Sequence, residues 1–183
     1  MKYIYKKIAL GLAILISSIS LYAIDEPSDY TPIVAIRSLL TGIPITRDDG
    51  GKAALGSNWT ISEIQLPSRV GKFPFGVVQF VSVIKPGDCL SIDIRDKFSV
   101  TRCESTAVGL YGVAFSILPT ISSAVQIESI VKRGFCLSVV NPYAEQTIDQ
   151  IGLKPCVVDE NQDIPLENLF NISPAFNQAR ITR

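Results

Sequence analysis

The chain has 183 residues, with 17 Lys and Arg, 17 Asp and Glu, and no histidine. Nucleic-acid binding requires a stripe of Lys and Arg that displaces counterions, and the basic residues here are not clustered, so we expect no direct nucleic-acid contact. Without histidine, a Gly-x-Ser-x-Gly elbow or a Walker loop, the usual proton shuttles and activated nucleophiles are missing. We therefore predict that the protein is not an enzyme and holds no cofactor or metal.

The first 23 residues have the pattern of a secretory signal peptide. Three lysines precede an apolar run over 8–19, and Ala23 supplies a small residue at a cleavage point. A membrane anchor is the alternative, but it would need about 20 uninterrupted apolar residues. The pattern predicts transit through the periplasm to an extracellular or outer-membrane-associated form.

Residues 24–32 are polar and contain two prolines, which favours an extended amino-terminal tail. The polar residues 176–183 are predicted to form a carboxy-terminal tail. Between the two tails, 33–175 are long enough for one domain with a substantial core, and short enough that one domain is the default.

This domain contains a stretch that occurs twice, 47 residues apart. Residues 78–92 and 125–139 share the pattern Val-Gln-x-x-Ser-x-x-Lys-x-Gly-x-Cys-Leu-Ser, and a more degenerate third copy begins at Val34. Repeats of this length occur where one unit cannot bury its own apolar face and must pack against its neighbours. Three copies account for the whole domain.

The residues within each copy indicate short strands. Apolar and polar side chains alternate, glycines and prolines interrupt the runs, and no long segment carries an apolar stripe of helical period. The pattern predicts an all-β fold. Three four-stranded copies around one pseudo-threefold axis make a β-trefoil, which buries the repeated apolar positions in a shared core. A sandwich of unrelated strands would leave the triplication unexplained.

Four cysteines in an exported chain predict two disulfides, for which three pairings exist. Cys103 follows Cys89 in one copy, and Cys156 follows Cys136 in the next. We therefore predict that each bridge closes within its own copy, Cys89 with Cys103 and Cys136 with Cys156. A metal site is the alternative, but no Cys-x-x-Cys pair and no histidine accompany the thiols.

The cysteine-leucine block, with its later cysteine, resembles the repeat of the ricin-type β-trefoil lectins. Ser91 and Ser138 stand where that family has its sugar-binding aspartate, and Phe115 and Phe170 replace its closing tryptophan. A carboxylate accepts stronger hydrogen bonds from sugar hydroxyls than a serine does. These replacements weaken the sugar-binding positions of the lectin repeat. An autonomous secreted carbohydrate-binding lectin is the alternative interpretation.

A narrower resemblance covers about residues 30–175. Blocks such as Asn58-Trp59-x-Ile61, Phe75-Gly76-x-Val78-Gln79-Phe80 and Phe115-Ser116-Ile117-x-Pro119-Thr120 are similar to the C subunit of bacterial cytolethal distending toxin. The resemblance implies a non-catalytic subunit of a secreted three-part genotoxin. Such a subunit assembles with a second trefoil, the A subunit, and with a nuclease, the B subunit, and helps to bring the nuclease to the host cell surface.

The same resemblance implies a contact between the amino-terminal tail and the nuclease subunit. Tyr30 is the expected aromatic anchor, because such a side chain loses little rotamer entropy on binding. A tail that binds nothing is the alternative. The other candidate residues for this contact are Ile24, Asp25, Glu26 and Pro27.

A second implied contact involves residues 69–80, which are apolar with a basic start. In some C subunits the matching stretch has been proposed to touch membrane cholesterol through a tyrosine-containing pattern. Here the pattern is incomplete, since Val77 and Val78 stand where the tyrosine would be. A host glycan or lipid is the expected receptor class, and the candidate contact residues are Phe73, Phe75 and Phe80.

Overall fold

The structure is a computed structural model that describes residues 32–47, 57–67, 70–103, 111–145, 147–159 and 161–175. All of these belong to one unit, Thr31–Arg183. The predicted signal peptide over 1–23, the tail residues Ile24 to Tyr30 and the carboxy-terminal tail over 176–183 lie outside the described residues. The predictions made for them remain predictions.

Short strands account for most of the described chain, which confirms the all-β prediction. Each strand has five or six residues, and turns that contain glycine or proline follow several of them, including β1, β3 and β7. Helical structure in the described elements is limited to α1 (Thr147–Gln150) and two 3-10 turns, Tyr111–Val113 and Leu166–Asn168. None of the described helices is long and apolar enough to cross a membrane. The strands are β1 (Ile33–Ser38), β2 (Asn58–Glu63), β3 (Val78–Ser82), β4 (Asp88–Ile92), β5 (Phe98–Arg102), β6 (Phe115–Pro119), β7 (Val125–Ser129), β8 (Phe135–Val139), β9 (Ile151–Pro155) and β10 (Phe170–Pro174).

These strands form one sheet of antiparallel pairs, in the order β5-β4-β3-β2-β1-β10-β7-β8-β9. Strand β6 pairs with both β3 and β7. Phe115 of β6 lies opposite Val78 of β3 and opposite Ser129 of β7. The path from β3 through β2, β1, β10, β7 and β6 therefore returns to β3, and six strands close a ring. The hairpins β4–β5 and β8–β9 extend from this ring, each with five paired residues.

Large apolar side chains from the ring and the hairpins meet in one core. The rings of Phe80 and Phe115 lie 6.0 Å apart, and the Trp59 indole donates a hydrogen bond of 3.1 Å to the Ile45 carbonyl. Burial of each such side chain stabilises the fold by roughly 1.5–3 kcal/mol. The repeated positions are fully buried in both copies, as the sequence pattern requires, and include Phe80, Leu90, Phe115, Ile127, Leu137 and Phe170.

Each of the two hairpins is closed by its own disulfide. Cys89 is bonded to Cys103 and Cys136 to Cys156, which are the two pairs that the repeat predicts. Just before each first cysteine, a glycine with positive φ makes the turn and its carbonyl accepts a hydrogen bond from the amide of the second cysteine, at 2.9 Å from Gly87 and 2.8 Å from Gly134. In the chain-entropy description, closing the shorter loop contributes about 3 kcal/mol.

Candidate binding surface

The three phenylalanines predicted to contact a membrane or receptor occupy very different environments. Phe80 lies in β3 with none of its surface exposed and packs on Phe115 in the core. Its prediction as a contact residue is therefore wrong, because a fully buried ring offers no surface to a membrane. Phe73 and Phe75 lie in the connection between β2 and β3, outside the main core.

Part of this connection, residues 70–76, crosses over a second and smaller apolar cluster, and we call it the strap. The cluster consists of Val77, Ala114 and Ile130, and Val70 and Phe73 of the strap pack against it. Phe73 is consequently half-buried. Its inner face lies on the cluster and is not available to a ligand.

Arg133, in the turn between β7 and β8, covers the strap from outside. Its guanidinium carbon lies 4.7 Å from the centre of the Phe73 ring, and its Nη2 donates a hydrogen bond of 3.4 Å to the Lys72 carbonyl. A guanidinium over an aromatic face gains about 0.5–1 kcal/mol at an exposed site. Arg133 approaches Gly71 so closely that a Cβ there would lie 2.8 Å from Nη1. A residue with a Cβ would make the guanidinium shift, and the φ of Gly71, 112°, also favours glycine.

A tight turn then places the Phe75 side chain on the outer face of the strap. The Gly76 amide donates to the Phe73 carbonyl at 3.1 Å, and Gly76 has a φ of 74°, which glycine adopts without steric cost. The Ser116 hydroxyl donates to the Gly76 carbonyl at 3.0 Å and ties the turn to β6. Pro74 occupies the second position of this turn, where its ring restricts the backbone φ. Phe75 follows Pro74 and is 56% exposed.

Charges of both signs surround the strap and the neighbouring turn. Lys132 forms an ion pair with Asp96 and also lies 4.2 Å from the centre of the Phe135 ring. Glu128 accepts a hydrogen bond of 2.8 Å from the Gly134 amide, and the Glu63 carboxylate lies beside Gly76. Lys132 and Asp96 are the ion pair of this group, whereas Arg133 contacts the Phe73 ring and the Lys72 carbonyl.

The positions that correspond to the sugar-binding aspartates of the lectins are buried. Ser91 is 4% exposed and donates a long hydrogen bond, 3.5 Å, to the Ile92 carbonyl, while Ser138 has no exposed surface. Gly112 closes over the first position, since a Cβ on it would lie 3.2 Å from the Ser91 hydroxyl. Neither serine can touch a sugar, so these two positions give the lectin interpretation no support.

A further apolar surface, in the turn after β1, was not found from the sequence. Leu39, Leu40 and Ile43 are each just over 40% exposed. The Ser38 hydroxyl accepts hydrogen bonds from the amides of Leu40 and Thr41, at 3.1 and 3.3 Å, and so fixes the turn. Two adjacent leucines followed by Thr-Gly were the available indication, because a turn cannot bury both side chains.

A closed ring of short antiparallel strands with two disulfide-linked hairpins defines an all-β domain, and among the described residues no group of side chains is placed to hold a metal ion. The chain matches the model of the cytolethal distending toxin A/C domain over residues 33–181. It belongs to that family. The recognition made from the sequence is confirmed at this level.

Solved structures agree with the family assignment. Chains in the crystal structures of cytolethal distending toxin from Haemophilus ducreyi and from Actinobacillus actinomycetemcomitans are each 23% identical, with a TM-score of 0.64, and the match covers 86% of this chain and 99% of the matched one. A designed threefold-symmetric protein, ThreeFoil, is 10% identical with a TM-score of 0.53, covering 77% of this chain and 97% of its own. Among curated protein sequences, none matches this chain significantly.

Proposed function

We propose that this protein is a non-catalytic binding subunit of a secreted bacterial three-part genotoxin. It assembles with a second trefoil subunit and with a nuclease subunit, and it helps to bring the nuclease to the host cell surface. The observation that carries the proposal is the match to the toxin A/C domain over residues 33–181. The resemblance of the sequence blocks to C subunits assigns it to the C type.

The proposal includes a β-trefoil architecture for the domain. Each sequence copy contributes two strands to the six-stranded ring, β1 with β2, β3 with β6, and β7 with β10. The hairpins β4–β5 and β8–β9 occupy the same place in copies two and three. The likeness to a designed protein of threefold symmetry supports the same architecture. In copy one, the bridge between Arg37 and Pro44 corresponds to the pairing of Val81 with Cys89 between β3 and β4.

A binding role without catalysis is supported by what the carboxylates do. Asp88 pairs with Arg47 at 3.0 Å and with Lys85 at 3.1 Å. Asp93 accepts hydrogen bonds from the amides of Arg95 and Lys97 at 2.8 and 3.0 Å, which fixes the β4–β5 turn. Carboxylates used in this way stabilise turns and strand ends. Hydrolysis of a glycosidic bond would instead need two that face each other across a substrate.

Export and the amino-terminal contact belong to the same proposal. The signal peptide over 1–23 directs the chain to the periplasm, from which it reaches the outer membrane or the medium. Residues 24–32, with Tyr30 as the anchor, run along the nuclease subunit. In this proposal the signal peptide directs export and the tail contacts the nuclease subunit, while the folded domain provides the other binding surfaces.

The experiment is co-expression of the full chain with a second A/C-type subunit and a nuclease subunit encoded by neighbouring reading frames. We expect one complex on size-exclusion chromatography that contains all three chains. It should damage the DNA of cultured host cells, whereas this chain alone should leave them unaffected. Failure to co-purify with either partner, from material that is folded by circular dichroism, would overturn the proposal.

A further inference from the structure

We propose that residues 176–181 of this chain close the open end of the six-stranded ring, with Phe176 packed on the apolar side chains there. The open end is the one at which β2, β6 and β10 finish and β1, β3 and β7 begin. The segment itself lies outside the described residues. The inference goes beyond the proposed function and does not depend on it.

The opposite end of the ring is covered by the two disulfide-linked hairpins. They follow directly after β3 and β7, at the end where those strands finish. Their apolar side chains belong to the same core as those of the ring, and the buried ones include Leu90, Ile92, Phe98, Leu137, Val139 and Ile151. That end of the core is therefore shielded from water.

Burial of the core decreases towards the open end. One core-facing side chain on each ring strand has no exposed surface, and these six belong to Ile36, Trp59, Phe80, Phe115, Ile127 and Phe170. The next core-facing residues towards the open end are Val34, Ile61, Val78, Ile117, Val125 and Ile172. Val34 is 7% exposed, and the other five are only partly buried. A layer of six aliphatic side chains thus stays in partial contact with water.

The proposed segment starts at the rim of this layer. The Ala175 amide donates a hydrogen bond of 3.2 Å to the Ile33 carbonyl, and Ala175 is 3% exposed, so the chain is still packed on β1 at this point. Side chains alternate between the two faces of a strand, and Phe170 and Ile172 face the core. Phe176 belongs to the same alternate set. A turn after Ala175 brings its ring over the aliphatic layer.

The family match supports this segment as the one that covers the open end. The model of the toxin A/C domain covers residues 33–181, so it includes 176–181 and leaves out the amino-terminal tail. The apolar residues of the segment are Phe176, Ala179 and Ile181. An aromatic side chain buries about 150–250 Å². Phe176 is therefore large enough to cover several of the aliphatic side chains.

The test uses residues 24–183 alone and compares them with a version that stops at Ala175, with Phe176→Ser and with Phe176→Leu. The matched control is Tyr143→Ser, which truncates an aromatic side chain that is 94% exposed in another loop. Urea unfolding followed by tryptophan fluorescence gives the equilibrium constant of unfolding. Hydrogen exchange compares β2 and the β6–β7 turn with the β4–β5 hairpin at the other end. Binding of anilinonaphthalene sulfonate reports exposed apolar surface.

We expect Phe176→Ser to raise the equilibrium constant of unfolding about tenfold or more, because it removes a buried aromatic ring from the core. Phe176→Leu should change it by about threefold, since leucine keeps a large apolar side chain. Tyr143→Ser should stay within about twofold. The version that stops at Ala175 should bind the dye and exchange hydrogen faster in β2 and in the β6–β7 turn, while β4–β5 keeps its protection.

An unchanged equilibrium constant for Phe176→Ser would overturn the inference, and so would an equal change for Tyr143→Ser. Faster exchange confined to the β4–β5 hairpin would overturn it as well, because the segment would then cover the other end. A shortened chain that is as stable as wild type but no longer joins the three-subunit assembly would show that the segment binds a partner instead. Since stability is measured on the chain alone, its result leaves the proposed function untouched.

Discussion

Gly71 lies directly beneath the guanidinium of Arg133. A Cβ on Gly71 would lie 2.8 Å from Nη1 of Arg133, so the end of the arginine would have to shift, and the φ of Gly71, 112°, favours glycine. The guanidinium covers Phe73 and reaches the Lys72 carbonyl. This pair is therefore one of the contacts that hold the strap in place.

Gly71→Ala should destabilise the protein by about 1–2 kcal/mol and displace Arg133 from Phe73. The cost has two parts, the unfavourable positive φ for alanine and the loss of the guanidinium contact. Urea unfolding followed by tryptophan fluorescence measures the free energy of unfolding. Gly42→Ala is the matched control, because Gly42 has a φ of 68° and a Cβ added there would meet no atom within 4 Å. An equal cost at both sites would contradict the role assigned to Arg133.

Arg133→Ala should loosen the strap without unfolding the domain. The strap amides, including the Gly76 amide that bonds to Phe73, should exchange hydrogen faster, while strands β7 and β8 keep their protection. Hydrogen exchange read by mass spectrometry resolves the two regions. Arg133→Lys should give only partial rescue, because a lysine lacks the planar guanidinium that stacks on the ring. Unchanged exchange across 70–76 in Arg133→Ala would show that the strap is held by other contacts.

The features that recur in both copies of the repeat could be predicted from the sequence. Leu90 and Leu137 are fully buried at equivalent positions, and the glycine two residues before each first cysteine has a positive φ in both copies, so the cysteine pairing follows from the pattern. The strap could not be predicted in this way. Arg133 contacts Lys72 from 61 residues away, and no local pattern connects them. Phe80 is predicted as a contact residue because it belongs to the stretch 69–80 that the resemblance implicates, whereas its position in strand β3 places it in the core.

Gln126 holds the residue that follows the second disulfide. It makes two hydrogen bonds to Val157, from its Nε2 to the carbonyl at 2.6 Å and to its Oε1 from the amide at 3.0 Å. Gln79, at the same place in the other repeat, donates a hydrogen bond of 3.1 Å to the Cys103 carbonyl. Gln126→Met should lower the free energy of unfolding by about 1–3 kcal/mol, because it leaves the carbonyl and the amide of Val157 without this partner. Chemical denaturation checks this, and unchanged stability would count against it.

Restoration of the lectin aspartate should fail at Ser138. The side chain has no exposed surface, and its hydroxyl has no hydrogen-bond partner among the described residues. Ser138→Asp would bury a carboxylate without a counter-charge, so the free energy of unfolding should fall by more than about 2 kcal/mol or the aspartate should stay protonated. Val140→Asp, two residues along the chain at a site that is 47% exposed, is the control and should cost far less. A Ser138→Asp protein that kept wild-type stability and bound a glycan panel would show that this position opens to ligand, and would return the lectin function to consideration.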